Sequence, residues 1–195
     1  MRKNWAALAL TGMLCLTTFA GTQTVSAETA DSAKQVDIVF THDTHSHLNT
    51  FTTIVDEAEK EVGGFARINT LIQEQKAKNP DTLVIDGGDF SMGTLIQTVF
   101  ETQAAEIRML GYMGCDVTTL GNHEFDYRSK GLANMLNSAA ESGDDLPAMV
   151  VCNVDWESME AAGLSEGQQL IRDAFDEYGV SDYVVLENGD TDIAV

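Results

Sequence analysis

The sequence predicts an α/β domain built on a largely parallel sheet. Short apolar, β-rich runs at 36–40, 83–85 and 117–120 alternate with stretches of helical periodicity, which is the pattern of strands joined by crossover helices. Each of these runs closes in a polar knot: Thr41-His42-Asp43-Thr44-His45-Ser46-His47, then Asp86-Gly87-Gly88-Asp89, then Gly121-Asn122-His123-Glu124-Phe125-Asp126. All 4 histidines of the chain fall in the first and third knots. In an open α/β sheet, ligands bind outside the carboxyl ends of the strands, so the knots stand where chemistry is expected.

The elements follow in order. The run 36–40 is short and apolar, a strand. Residues 64–78 place Phe65, Ile68, Leu71 and Ile72 at helical spacing, and Pro80-Asp81 stops that helix. A strand at 83–85 precedes a helix at 101–112, whose apolar positions are Ala104, Ala105, Ile107, Met109 and Leu110. The strand 117–120 leads to a helix at 130–140, a strand at 148–152 and a helix at 168–178. Two further strands are expected at 183–187 and 190–195. Asp192-Ile193-Ala194-Val195 reads as the opening of a strand, so the sequence is expected to be the front part of a longer protein.

The amino terminus reads as a secretion signal over 1–27. Arg2 and Lys3 are basic, 6–20 is apolar but short for a bilayer span, and Val25-Ser26-Ala27 is a small-x-small cleavage site. Residues 28–35 form a polar leader, and one domain spans 36–195. No stable membrane span is expected after cleavage, and the product is expected outside the cell or in the periplasm or cell envelope. The formal charge of −20 argues against a polymeric nucleic acid substrate, whose phosphates need Lys and Arg. It leaves a small phosphate ester open, because bound cations would dominate the local field. Cys115 and Cys152 sit at opposite ends of neighbouring predicted strands. They are expected as buried free thiols, not a disulfide.

Oxygen and imidazole groups of this kind suit hard and borderline metals. In an extended strand Asp43 and His45 would share a face and grip one ion. His42 would point away, and His47 reads as a surface residue that could approach a substrate. Two glycines leave space beside Asp89, whose carboxylate can bridge two cations. Asp86 ends its strand and is expected to cap local amides. Asn122 offers a neutral oxygen. Asp126, three residues past His123, can hold the imidazole and favour its charged form.

The ordered motifs Asp-x-His, Gly-Gly-Asp and Gly-Asn-His-Glu resemble the calcineurin-type metallophosphoesterases. Gly-Asn-His-Glu-Phe-Asp, with Gly63-Gly64-Phe65-Ala66-Arg67, is similar to the 5′-nucleotidase branch. The resemblance implies the N-terminal part of an αββα sandwich with two divalent metal ions (zinc, manganese, magnesium or similar). Asp43 and His45 would hold the first metal, Asp89 would bridge, and Asn122 would hold the second and meet substrate. His123, supported by Asp126, would act on the phosphoryl group while a hydroxide bridging the metals attacks phosphorus. The implied substrate is a nucleotide or related phosphate ester. The family's later histidine ligands have no counterpart, since no histidine follows His123. The domain is therefore expected to be partial and to need a missing C-terminal segment for a full site. The alternative is a non-catalytic fragment or pseudo-enzyme with at most one weak metal site.

Overall fold

The computed structural model describes residues 35–195. The signal at 1–27 and all but the last residue of the leader lie outside the described residues. A four-stranded sheet carries the fold: β1 (Ile38–Thr41), β4 (Leu83–Asp86), β5 (Val117–Thr118) and β6 (Ala148–Met149), side by side in that order. All its pairings are parallel, with Ile38 opposite Leu83, Ile85 opposite Val117 and Val117 opposite Ala148. Two antiparallel hairpins stand apart from it: β2 (Phe51–Val55) with β3 (Ala58–Val62), and β7 (Val185–Asn188) with β8 (Thr191–Ala194).

Six α-helices are present among the described residues: α1 (Phe65–Lys78), α2 (Phe100–Gln103), α3 (Ala105–Tyr112), α4 (Arg128–Ala140), α5 (Trp156–Ala162) and α6 (Glu166–Tyr178). Their buried side chains meet the sheet in one apolar core. Ile72 of α1, Ile107 and Leu110 of α3, Leu132, Met135 and Leu136 of α4, and Phe175 of α6 join Val84, Cys115 and Met149. The opposite face is open at the β1 edge, where Ile38 and Phe40 are 51% and 63% exposed. No described helix is long and apolar enough to cross a membrane.

Several boundaries differ from the sequence expectations for physical reasons. The helix expected over 101–112 breaks at Ala104, which is buried in a left-handed conformation (φ 46°, ψ 42°). The short α2 is tied to α4, where Asn134 Nδ2 donates to Glu101 Oε2 (2.8 Å) and Ser138 Oγ donates to Glu101 O (2.9 Å). Helix α6 starts two residues earlier than its periodicity suggested, because Ser165 and Gln168 form a capping box. Leu71 of α1 is exposed, so the apolar stripe is narrower than it reads. Cys115 is a buried free thiol, pushed up to about 12 by burial. Cys152 is free but exposed, contrary to expectation, since β6 ends at Met149 and leaves it in the following loop. The hairpin β2–β3 was not anticipated. Its turn residues Asp56 and Glu57 both have positive φ (53° and 63°), a turn usually announced by Asn-Gly or Asp-Gly.

Candidate metal centre

The three polar knots converge at the carboxyl ends of β1, β4 and β5. Backbone bonds prolong the β1–β4 ladder beyond the strands. Gly87 N donates to Thr41 O (2.8 Å), Asp43 N to Gly88 O (3.1 Å), His45 N to Asp89 O (3.1 Å) and Ser46 N to Phe90 O (2.8 Å). The chain is not extended here: Asp43, His45 and Ser46 all have positive φ. The premise that Asp43 and His45 share a strand face therefore fails. Asp43 instead carries its carboxylate to His42, with Oδ2 2.9 Å from Nδ1.

Ligand atoms of His45, Asp89 and His123 all lie within 4.8 Å of one another. The two imidazole rings meet edge to face, with centroids 5.1 Å apart. Each ring has one nitrogen engaged outside the cluster. His45 Nδ1 lies 3.3 Å from Ser91 O, and His123 Nδ1 lies 2.8 Å from Asp126 Oδ2. That leaves Nε2 of His45 for an ion, the arrangement by which proteins orient ligating imidazoles, while Nε2 of the His123 ring, held at Nδ1 by Asp126, is left to meet a substrate atom. The carboxamide of Asn122 sits beside the carboxylate of Asp89, its facing atom 3.1 Å from Oδ2. As nitrogen that atom donates a hydrogen bond; as oxygen it would share a cation with Asp89. The His45 imidazole, the Asp89 carboxylate and the Asn122 carboxamide suit a divalent metal. Thus His45, Asp89, Asn122 and His123 come together, Asp126 joins through His123, and Asp43 stands aside.

Asp86 caps local groups as expected. Thr41 Oγ1 donates to its Oδ1 (2.7 Å), while Thr118 Oγ1 (2.8 Å) and Gly88 N (3.0 Å) donate to Oδ2. Burial still pushes its carboxyl above the ordinary range, against those hydrogen bonds. Gly88 adopts φ 85°, and a Cβ there would lie 2.6 Å from Gly121 N. Only glycine lets the second and third knots approach this closely. The imidazole of His123 is raised above its usual 6.5, first by the Asp126 hydrogen bond and further by the charges of Asp126, Asp89 and Glu124.

Two buried glutamates escaped the sequence reading. Glu124 accepts from Asp89 N (3.1 Å), Ser91 N (3.0 Å), Ser91 Oγ (2.7 Å) and Gly121 N (2.6 Å). It thereby ties the second knot to the third. Glu106, on α3, accepts from Ser46 Oγ (2.6 Å) through Oε1, while its buried Oε2 has no partner. The signal for Glu124 was its place inside the third motif; for Glu106 there was none.

The calcineurin-like phosphoesterase family model matches residues 36–190, and the chain belongs to that family. Among its relatives, a 5′-nucleotidase of Mus musculus is 36% identical over 110 residues, covering 55% of this chain and 19% of the mouse protein. A 5′-nucleotidase-related protein of Glossina morsitans morsitans is 32% identical over 151 residues, covering 74% of this chain and 26% of its own length. The solved structure of a 5′-nucleotidase precursor from Thermus thermophilus superposes with a TM-score of 0.62 at 26% identity, over 82% of this chain and 27% of that one. The chain thus spans about a fifth to a quarter of the length of these relatives.

Proposed function

We propose that this chain carries the first part of the catalytic centre of a secreted, metal-dependent phosphoester hydrolase of the 5′-nucleotidase type. The observation that carries the reading is the convergence of His45, Asp89 and His123 at the ends of adjacent parallel strands. Divalent cations, when bound, would neutralise phosphoryl charge and supply an activated water as nucleophile. His45 and Asp89 would hold a cation, and Asp89 with Asn122 would hold a second. Asp43, whose carboxylate contacts His42, would add a ligand to the first cation. His123 and Asn122 face the phosphoryl group. Asp126 keeps a proton on His123 Nδ1 and favours the charged ring, so Nε2 can donate a proton or hydrogen bond to a phosphoryl or leaving-group oxygen. The substrate is a small nucleotide or related ester, in keeping with the names of the relatives and with a chain of formal charge −20. Export directed by the segment 1–27 would deliver it outside the cell or to the periplasm.

The second reading is a non-catalytic chain with at most one weak metal site. It is favoured by the small ligand set, since the cluster holds two imidazoles and one carboxylate among the described residues. The enzyme reading requires a metal site at Asp89. Titration calorimetry with Mn2+ should give one specific site that Asp89→Ala removes, and lack of binding would refute the enzyme reading. AMP and an aryl phosphate, assayed with Mn2+, then divide them. Turnover lost in Asp89→Ala supports the enzyme, and no turnover supports the second reading.

A further inference from the structure

The first knot is held in a shape its own sequence disfavours. His45 and Ser46 follow one another at φ of 44° and 54°, a left-handed conformation in which the Cβ of an L-residue crowds the backbone. No glycine lies within 41–50 to relieve it, so bonds from elsewhere must hold the turn. Two come from the second knot, where His45 N donates to Asp89 O (3.1 Å) and Ser46 N to Phe90 O (2.8 Å). Ser46 is wholly buried, and two further side chains reach it. Thr94 Oγ1 donates to its carbonyl oxygen (2.7 Å). Its own hydroxyl donates to Glu106 Oε1 (2.6 Å), a partner 60 residues away in sequence. Glu106 sits in the first turn of α3, so this bond ties the loop that bears His45 to a helix of the core.

A carboxyl group is costly at that position. The Glu106 side chain is fully buried, and one of its oxygens has no hydrogen-bond partner. An apolar side chain of similar bulk would pack there without the desolvation cost. A buried polar group retained against such a cost can fix a geometry that apolar packing would leave loose. The geometry in question is that of the preceding residue. His45 is placed by the same turn, and its ring is steadied by Nδ1 lying 3.3 Å from Ser91 O. We infer that Glu106 is a positioning residue of the metal centre: through the Ser46 hydroxyl it holds the left-handed turn that aims His45 at the ion. The inference rests on the metal-centre reading of the site. It gives the centre two buried acid braces, Glu124 for the second and third knots and Glu106 for the first. Neither belongs to the cluster of ligand atoms itself.

The test is Mn2+ calorimetry on the full chain, each variant titrated at a temperature where circular dichroism shows it folded. Ser46→Ala removes the donor and Glu106→Leu removes the acceptor. Each should weaken Mn2+ binding about tenfold, the loss usual when a group that orients a metal ligand is removed. The double variant should be no weaker than either single one, because both delete the same bond. Glu106→Gln keeps an oxygen for Ser46 and should bind Mn2+ as the wild type does. Leu136→Ala, in the apolar core on α4, should lower stability and leave the Mn2+ affinity of the folded protein in place. If Glu106→Leu does not fold, Ser46→Ala and Glu106→Gln decide the matter. Unchanged affinity in Ser46→Ala would overturn the inference while the metal site stands. So would a Glu106→Gln chain as weak as Ser46→Ala, since the charge and not the hydrogen bond would then matter. A loss in Leu136→Ala equal to that in Ser46→Ala would also overturn it, by showing that metal affinity follows general stability. If the wild type binds no Mn2+, the metal-centre reading fails and the positioning role with it.

Discussion

The two sides of the candidate site are built to different standards. On one side, the turns carrying Asp89 and Asn122 are locked by the buried carboxylate of Glu124, which receives four hydrogen bonds. On the other, the segment after His47 becomes a hairpin in which Val55 and Val62 alone are partly buried. Its side-chain bonds, such as Thr50 to Glu61 and Arg67 Nη2 to Glu61 Oε2 (3.4 Å), lie at the surface. The contrast separates the chemistry that must stay fixed from the chemistry that tolerates change. A metal grip needs ligands fixed to a fraction of an ångström, and buried hydrogen bonds supply that. An exposed hairpin carries no such demand and can vary at little cost to folding.

The most direct challenge to this contrast removes one carboxylate from each side. Glu124→Ala leaves three backbone N–H groups and the Ser91 hydroxyl without their acceptor. Each buried orphan costs about 1–3 kcal/mol, so the variant should lose at least about 3 kcal/mol in urea unfolding. Glu61→Ala, on the hairpin, should change stability by less than about 0.5 kcal/mol. Similar losses from both would mean that the hairpin is as structural as the paired turns.

Which parts were legible follows the same division. The four strands of the parallel sheet could be read because Val84, Val117 and their neighbours form short apolar runs, three of which lead into polar knots. Asp89, Asn122, His123 and Asp126 could be placed because motif order puts them at strand ends. Conformation was less legible. The positive φ of Asp43 and His45 comes from a loop hydrogen-bonded to the Gly88–Phe90 backbone, a long-range constraint with no local signature. The hairpin turn at Asp56-Glu57 lacks the glycine that would have announced it. Helix α5 was missed because none of its residues is fully buried, so it leaves little periodic trace. Glu124 lies inside the third motif but Glu106 has no local mark, and folding buries both completely.

Those two acids differ in a way that pH can read. Glu124 has its four donors, whereas Glu106 has one side-chain donor and an unpartnered oxygen. Burial raises the Glu106 carboxyl above 4.5, partly offset by the Ser46 hydrogen bond and reinforced by the charge of Glu124. A carboxyl raised on folding holds its proton longer in the folded state. Its stabilising contribution is complete below the unfolded pKa and is lost as pH rises through the folded one. Glu106→Gln keeps the shape and removes the titration. Between pH 5 and pH 8 the wild type should therefore lose stability relative to this variant. Urea midpoints at the two pH values measure it. A constant difference between the proteins would mean that Glu106 is already ionised at pH 5.

The mildest change expected is at His123, where the fixed side of the site meets solvent. Its imidazole is 38% exposed and the Asp126 carboxylate 48% exposed, with Nδ1 and Oδ2 2.8 Å apart. The hydrogen bond to Asp126 is the largest cause of the raised pKa, and the Asp126 charge adds to it. Asp126→Asn leaves a neutral acceptor and removes that charge, so the ring should titrate closer to the ordinary 6.5. Asp89 and Glu124 remain nearby and should prevent a full return. Histidine NMR titration of metal-free protein reads the change directly, with Asp43→Asn as the comparison. Asp43 contacts His42 and not His123, so that variant should leave the His123 curve in place. If the two substitutions moved His123 equally, the dyad would be a general effect of an acidic surface. If Asp126→Asn alone moves it, Asp126, three positions along the same turn, is the main source of the raised titration, with the charges of Asp89 and Glu124 adding to it.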